Sequence, residues 1–128
     1  MNKQPCKVLV LDEDRSRAET TVMLLQMWGH EAEAAYSAED ATSKARALDP
    51  DVILIDLGRA IVNGFDVARE LRRCCPHAKL VAITAFTEGD IVRRARDVGF
   101  ESVLPKPTPA KRLKEAVDTE CAAASSDA

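Results

Sequence analysis

Short apolar runs alternate with longer amphipathic stretches along this chain, five times in 128 residues. Three of the runs are apolar at every position, as expected for central strands of a parallel sheet that helices cover on both faces. They are Val8 to Leu11, Val52 to Ile55 and Leu80 to Ile83. Two weaker runs are Glu31 to Ala35 and Ser102 to Leu104. This alternation predicts an α/β domain with a doubly wound parallel sheet.

The stretches between the runs carry helix start and stop signals. The predicted helices are Arg15 to Trp28, a helix capped by Ser37 that runs to about Ala47, Phe65 to Cys75, Ile91 to Val98, and one that begins at Pro109. We expect a single domain over residues 1–128 with a core of about 6–118. The ending AAASSDA is small and polar, so residues 119–128 are expected to fray.

Charge and hydropathy exclude several classes of function. Lys and Arg number 18 against 21 Asp and Glu, a formal net charge of -3, so the broad cationic surface of a nucleic-acid-binding domain is missing. The apolar runs are far shorter than the ~18 residues of a membrane span, and the start of the chain does not resemble a signal peptide. We therefore expect a cytoplasmic protein that binds neither nucleic acid nor membrane.

The four cysteines form no CxxC motif. They are Cys6, Cys74, Cys75 and Cys121. We interpret them as reduced thiols, with a zinc site as the weaker alternative, because His30 and His77 stand at no ligand-like spacing from them. Both histidines are expected to be ordinary surface residues.

Chemically active side chains follow the predicted strands at the point where each strand ends. Asp12, Glu13 and Asp14 follow the first strand, and single residues follow the third, fourth and fifth strands: Asp56, Thr84 and Lys106. In open α/β sheets ligands bind outside the carboxyl ends of the strands. We therefore expect these groups to converge on one edge of the sheet.

Carboxylates gathered this closely repel one another unless a cation offsets them. An all-oxygen site with few protein carboxylates suits Mg²⁺, or the similar Mn²⁺, and leaves room for a phosphoryl oxygen. Lys106 supplies a point charge and Thr84 a hydrogen-bond donor, while the Asp56 carboxylate is able to accept a phosphoryl group as an acyl phosphate.

With these motifs in order, the chain resembles the receiver domain of two-component response regulators from about Lys7 to Val117. The matching segments are KVLVLDED, DVILIDLGRAIVNGFDVAREL, VAITA and LPKP. The resemblance implies a flavodoxin-like sheet of five parallel strands in the order 2-1-3-4-5 with five helices. It also implies a cis peptide bond between Lys106 and Pro107 and a turn glycine at Gly64.

The resemblance assigns a role to each site residue. It implies Asp56 as phosphoacceptor, with Thr84 and Lys106 as partners of the phosphoryl group and small Ala85 leaving space for it. It implies a metal site of Asp12, Glu13, Asp56 and the Gly58 backbone carbonyl. Asp14 is interpreted instead as a helix cap. The implied phosphodonor is a sensor histidine kinase or a histidine phosphotransfer protein, and the implied chemistry is limited to the domain's own phosphorylation and autodephosphorylation.

Several positions depart from the family pattern. Glu13 replaces the commoner aspartate, and Arg59 and Ala60 replace an aliphatic residue and a proline, which predicts a looser loop. Val103 stands where many relatives carry an aromatic residue whose swing reports phosphorylation. Output therefore depends on movement of loops 84–88 and 106–108, or else the domain is a relay or phosphate sink.

Two other classes of function stay open. One is a receiver-fold interaction module that is not regulated by phosphorylation, which the departures at Glu13, Ala60 and Val103 favour. The other is a small phosphohydrolase, but Gly58 stands where a second carboxylate would be needed as general acid or base. The face formed by the fourth and fifth helices is a candidate surface for a homodimer. Output is expected through contacts with a downstream target protein.

Overall fold

The structure is a computed structural model that describes residues 5–58, 61–86 and 89–126. The strands are β1 (Lys7–Leu11), β2 (Glu31–Ala35), β3 (Val52–Asp56), β4 (Lys79–Thr84) and β5 (Phe100–Pro105). The helices are α1 (Arg15–Met27), α2 (Ala38–Leu48), α3 (Ile61–Cys74), α4 (Gly89–Val98) and α5 (Ala110–Ser126). Strands and helices alternate along the chain, as the sequence predicts.

The five strands form one parallel sheet in the order β2-β1-β3-β4-β5. Successive side chains of a strand point to opposite faces. In β1, Leu9 packs on one face with α2, α3 and α4, whereas Val8 and Val10 pack on the other with α1 and α5. The central strands are therefore buried on both faces, and the predicted doubly wound fold is confirmed.

Helix ends follow the local chemistry of the chain. Asp14 caps α1 by accepting a hydrogen bond from the Arg17 backbone N–H at 3.0 Å, which confirms its predicted role as a cap. Ser37 caps α2 in the same way through the Asp40 N–H. Gly29 takes a φ of 96° directly after Trp28, the C-cap residue of α1, a conformation that favours glycine at a helix end.

The end of the chain corrects one expectation, because α5 continues through Ser126 where a frayed tail from residue 119 was predicted. The prediction of fraying was based on the small and polar residues of this segment. Its alanines, however, have a high intrinsic helix propensity. The helix is also held by tertiary contacts. The Ser102 hydroxyl bonds the Glu120 carboxylate at 2.9 Å, and Cys121 is buried.

The cysteines and His30 correct two further expectations. Cys6 and Cys121 are joined by a disulfide with their Cα atoms 5.9 Å apart, so these two are not reduced thiols in the structure. His30 is only 6 % exposed, whereas His77 lies on the surface as predicted. Long-range juxtaposition is the reason for both errors: residues far apart in sequence meet where β1 and β2 begin and α5 ends.

The other two cysteines, Cys74 and Cys75, are free thiols. The sulfur atoms of Cys74 and Cys75 lie 3.5 Å apart. Burial raises the pKa of the Cys75 thiol to about 12, and the hydrogen bond with Cys74 is the second cause of this increase. Cys74 is half-buried. Cys75 is therefore a poor nucleophile near neutral pH.

In the described part of the chain, the helices are too short or too polar to span a lipid bilayer.

Candidate functional site

The predicted edge of the sheet brings three charged side chains together. Asp12 directly follows β1, Asp56 ends β3, and Lys106 follows β5. The side chains of Asp12 and Asp56 are 5 % and 7 % exposed, which is unusual for carboxylates without partners. Both are held by cations, as buried charges require.

Asp56 is positioned by groups from two loops. Its Oδ1 accepts hydrogen bonds from Lys106 Nζ at 2.7 Å and from the Gly58 backbone N–H at 2.9 Å. Lys106 is itself held, because its backbone N–H donates to the Thr84 carbonyl at 2.9 Å. The Lys106–Pro107 bond is cis, as the resemblance implied. The result is a buried carboxylate in charge-assisted contact with an ammonium group.

Arg17 is the site residue that the sequence analysis missed. Its Nε lies 2.7 Å from Asp12 Oδ2 and its Nη2 lies 2.9 Å from Asp12 Oδ1, a bidentate pair. The same Nε lies 3.4 Å from Asp56 Oδ2. The hydrogen bond to Asp12 raises the pKa of Arg17, which favours the charged form of the guanidinium.

Arg17 reaches the site because of the way α1 begins. The Asp14 cap fixes the first turn of α1 directly after β1, and Arg17 lies in that turn. The only sequence signal was a cation in the first turn of a helix that follows an acidic cluster. Such a residue is normally read as solvated.

Thr84 ends β4 and is fully buried. Its Oγ1 accepts a hydrogen bond from the Phe86 backbone N–H at 3.0 Å. The hydroxyl hydrogen therefore remains for donation to another acceptor. Phe86 is 42 % exposed, so the threonine at the edge of the sheet is bonded to a loop residue that reaches the surface.

A groove connects these groups with the other predicted site residues. It is lined by Glu13, Asp14, Arg17, Gly58, Ala85, Phe86 and Lys106. Glu13 is exposed and Gly58 has a φ of 60°, a left-handed conformation that favours glycine. Glu13, Gly58 and Ala85 thus line one groove together with Arg17 and Lys106, the two cations that contact Asp12 and Asp56.

The donor set fits a hard divalent cation. One guanidinium contacts both Asp12 and Asp56, so the two carboxylates lie close enough to share a single positive charge. Carboxylate and backbone carbonyl oxygens are the donors that Mg²⁺ and Mn²⁺ prefer. Asp12, Asp56, Glu13 and the Gly58 carbonyl are the residues that could hold it.

A cleft of about 750 Å³ leads to the same carboxylates from the side of α1 and α5. Asp12, Arg17, Asp56 and Lys106 line its polar end. Its apolar wall includes Leu24, Leu54, Ile83, Pro107 and Leu113.

Other predicted features differ in outcome. Gly64 lies inside α3 and not in a turn. It has a packing role, because a Cβ there would lie 2.5 Å from Leu57 Cδ2. Val103 is half-buried against the core of the α3 and α4 face. Arg59 and Ala60, where a looser loop was predicted, lie outside the described residues.

The chain is similar to several known proteins. The family model of the response regulator receiver domain matches residues 8–118. A response regulator receiver protein of Anaeromyxobacter sp. is 33 % identical over 107 residues, which is 84 % of this chain and 45 % of that protein. The response regulator protein VraR of Staphylococcus epidermidis is 38 % identical over 81 residues, 63 % of this chain and 39 % of that protein. The chain thus spans less than half the length of these curated relatives.

Solved structures share the fold. A CheY-like receiver domain protein from Methanospirillum hungatei superposes with a TM-score of 0.87 at 18 % identity, over 98 % of this chain and 100 % of that one. The chemotaxis protein CheY4 of Vibrio cholerae gives a TM-score of 0.82 at 24 % identity, over 91 % and 98 % of the two chains. The sequence match over most of the chain and the shared fold agree: this chain belongs to the response regulator receiver domain family of two-component signalling.

Proposed function

We propose that the chain is a phosphoacceptor receiver that takes a phosphoryl group from a phosphohistidine donor onto Asp56. The observation that carries this proposal is the Asp56 carboxylate itself. It is buried at the end of β3, is held by Lys106 Nζ at 2.7 Å, and shares the Arg17 cation with a second carboxylate, Asp12. In the transfer a bond forms between an Asp56 oxygen and phosphorus. The bond between phosphorus and the imidazole nitrogen of the donor breaks.

The chain's own residues position and stabilise the transferred group. Lys106 orients Asp56 before transfer and, as a mobile point charge, is able to bond a phosphoryl oxygen afterwards. The Gly58 N–H fixes the rotation of the Asp56 carboxylate. The Thr84 hydroxyl donates its remaining hydrogen to a second phosphoryl oxygen, and Ala85 leaves space beside it.

Asp12, Glu13, Asp56 and the Gly58 carbonyl would hold Mg²⁺ or Mn²⁺. When bound, this cation supplies neutralisation of the negative charge on the phosphoryl oxygens. Arg17 has to leave Asp12 for the metal to enter.

The partners follow from this chemistry. We propose a sensor histidine kinase or a histidine phosphotransfer protein as donor, in the cytoplasm. Because the net charge is -3, we propose an output through protein contacts rather than direct nucleic-acid binding. The acyl phosphate makes the domain a switch or relay and not a turnover enzyme. The face of α4 and α5 is a candidate surface for a homodimer.

Thr84 offers a route for output that does not need an aromatic residue at Val103. Movement of the Thr84 hydroxyl toward a phosphoryl oxygen would pull the Phe86 backbone with it, because the two are hydrogen-bonded. Since the Phe86 side chain is exposed, phosphorylation would change the surface there. This coupling favours the loop-movement alternative over a pure phosphate sink.

Tryptophan fluorescence tests the coupling. We expect Phe86→Trp, made together with Trp28→Phe to remove the one natural tryptophan, to change its emission on phosphorylation. The same change should be absent with Thr84→Ala or Asp56→Asn. Tyr36→Trp in the Trp28→Phe background is the control outside the loop. Unchanged emission from the fully phosphorylated Phe86→Trp variant would contradict the coupling.

The test of the function is intact mass after incubation with acetyl phosphate, with and without Mg²⁺. We expect a gain of one phosphoryl group that requires both Mg²⁺ and Asp56, with Asp56→Asn as the control. A single stable adduct without turnover of acetyl phosphate beyond slow autodephosphorylation separates this function from a phosphohydrolase.

A folded chain that binds Mg²⁺ but gains no mass from acetyl phosphate would then be tested with a phosphohistidine donor. Failure with both donors would overturn the proposal and favour the interaction module. Gain of mass in Asp56→Asn would place the acceptor elsewhere.

A further inference from the structure

Two cysteines and a histidine meet at the opposite edge of the sheet from Asp56. Cys6 directly precedes β1, His30 directly precedes β2, and Cys121 lies in α5. Ligand-type atoms of the three residues all lie within 4.8 Å of one another. Cys6 and Cys121 are 3 % and 4 % exposed and are bonded to each other. The phosphoacceptor chemistry uses none of the three.

His30 links the two elements that carry the cysteines. Its Nδ1 accepts a hydrogen bond from the Cys6 backbone N–H at 3.1 Å, so a neutral ring carries its proton on Nε2. That Nε2 lies 3.8 Å from Asp118 Oδ1, and Asp118 is one helical turn before Cys121 on α5. One imidazole therefore faces both the backbone of Cys6 and the turn of helix that presents Cys121.

Other contacts hold the same two positions without the disulfide. The Cys6 carbonyl accepts a hydrogen bond from the Glu31 N–H at 2.9 Å. Glu120, next to Cys121, accepts from the Ser102 hydroxyl at 2.9 Å. The Cα atoms of the cysteines lie 5.9 Å apart, within the range that a disulfide requires. The fold thus presents the two thiols to each other at a high effective concentration, which favours closure.

We propose that Cys6 and Cys121 are a reversible redox modification site whose oxidant is a small disulfide. One cysteine, as thiolate, attacks the oxidant, breaks its S–S bond and releases the first small thiol. The second cysteine then displaces the other small thiol and closes the Cys6–Cys121 bond. Two electrons pass from the cysteines to the oxidant, and two small thiols leave with the two cysteine protons.

The site acts on α5. Closure ties Cys121, in the second half of α5, to Cys6, the residue directly before β1, and so suppresses opening of that part of the helix. Because both sulfurs are buried, exchange proceeds through local opening of the end of α5. In a reducing cytoplasm Cys6 and Cys121 therefore remain thiols until the concentration of the oxidant rises. Cytosolic disulfides that sense redox state usually behave in this way.

Zinc is the competing occupant of the reduced site, since two thiolates and an imidazole are zinc donors. Sulfurs that share a zinc at bond lengths of about 2.3 Å stand roughly 3.7 Å apart, well beyond a disulfide bond. In the structure the sulfurs of Cys6 and Cys121 are bonded to each other and are not held apart as two ligands of one zinc would be. The structure therefore favours the redox pair.

Equilibration in glutathione buffers of increasing oxidised fraction tests the proposal. Free thiols are trapped by alkylation, and the labels per chain are counted by intact mass. As the oxidised fraction increases, we expect the number of alkyl labels per chain to fall by two in a single step. Reduced glutathione should restore both labels. The Cys74→Ser/Cys75→Ser variant should titrate as the unchanged chain does, whereas Cys6→Ser should lose the paired step. Amide exchange in residues 118–124 should slow at least about tenfold on oxidation.

Three results would overturn the proposal. In the first, the thiols of Cys6 and Cys121 are both alkylated at every ratio of oxidised to reduced glutathione. In the second, the paired loss persists in Cys6→Ser. In the third, one equivalent of Zn²⁺ binds the reduced chain through Cys6 and Cys121 and blocks oxidation by glutathione disulfide, which would make the site a metal site.

The role of His30 has its own readout, with folding checked by circular dichroism. His30→Leu removes the acceptor for the Cys6 N–H, and we expect the equilibrium constant for closure to fall about tenfold. His30→Asn keeps an acceptor near the position of Nδ1 and should restore most of that loss. Equal behaviour of the two variants would show that His30 does not position the pair.

Discussion

Replacement of Lys106 with alanine is expected to slow phosphorylation of Asp56 at least about a hundredfold, with Mg²⁺ in excess. The Lys106 ammonium is 2.7 Å from Asp56 Oδ1, inside a site whose carboxylates are almost fully buried. In such a site a donor aimed at developing charge is worth far more than in water. Its loss removes both the orientation of Asp56 and the charge that meets the phosphoryl oxygens.

The measurement is the initial rate of mass gain from acetyl phosphate at saturating Mg²⁺. Lys106→Arg keeps the charge but changes its shape and reach, so we expect an intermediate rate. Lys111→Ala is the matched control, because Lys111 is an exposed lysine in the first turn of α5. A Lys106→Ala rate within about threefold of the unchanged chain would contradict the role assigned to the ammonium group.

The fold and most of the site were predictable from the sequence because parallel sheets impose a simple geometry. Three fully apolar runs identify central strands, and the residue after each strand must lie at the carboxyl edge. Asp12, Asp56, Thr84 and Lys106 were located by this rule without knowledge of any contact. The strand order itself came from the family resemblance, since alternation alone does not determine it.

Arg17 was not predictable in the same way. Its contact with Asp12 depends on the rotamer of a long side chain and on the direction in which α1 leaves the Asp14 cap. Sequence patterns describe which face of a helix is apolar, but they do not show which cation turns back toward the sheet. The helical pattern of α1 therefore predicted the backbone and not this contact.

The disulfide and the burial of His30 were missed for a different reason. Cys6 and Cys121 are 115 residues apart in sequence, and their proximity depends on where α5 crosses the sheet. The prediction of reduced thiols used only the spacing of the cysteines and the expected cellular compartment. Neither of these indicates a contact between the start of the first strand and the last helix. The extension of α5 to Ser126 was missed together with them, because its end is fixed by the same contacts.

Arg17→Gln is expected to tighten the binding of Mg²⁺ at least about tenfold, because the guanidinium holds the carboxylates that the metal needs. Two hydrogen bonds of 2.7 and 2.9 Å tie Arg17 to Asp12 and have to break before a metal enters. Charge-assisted bonds are worth about 1.5–3 kcal/mol each when buried. The Arg17 side chain is 49 % exposed, so solvent screening reduces this value, and a single factor of ten is the expected minimum.

Without metal the same substitution should lower the stability of the fold. Asp12 and Asp56 then lose the cation they share, and among the described residues Lys106 is the cation that still contacts one of these two buried carboxylates. We therefore expect the thermal midpoint of Arg17→Gln to fall in EDTA and to recover in Mg²⁺ by more than that of the unchanged chain. Tighter Mg²⁺ binding together with a lower thermal midpoint in EDTA would show that Arg17 occupies the position of the metal. A residue that merely stabilises α1 would lower the thermal midpoint without tightening Mg²⁺ binding.

Isothermal titration with Mg²⁺ alone measures the first effect, and thermal unfolding with and without Mg²⁺ measures the second. Arg15→Gln is the matched control, because Arg15 lies on the same turn of α1 but stacks on the Tyr36 ring at 4.0 Å. Its Mg²⁺ affinity should equal that of the unchanged chain. An unchanged or weaker affinity in Arg17→Gln would mean that Arg17 helps to assemble the metal site and does not compete for it. The tenfold gain would instead make Arg17 the residue that sets how much Mg²⁺ this receiver needs before Asp56 becomes an acceptor.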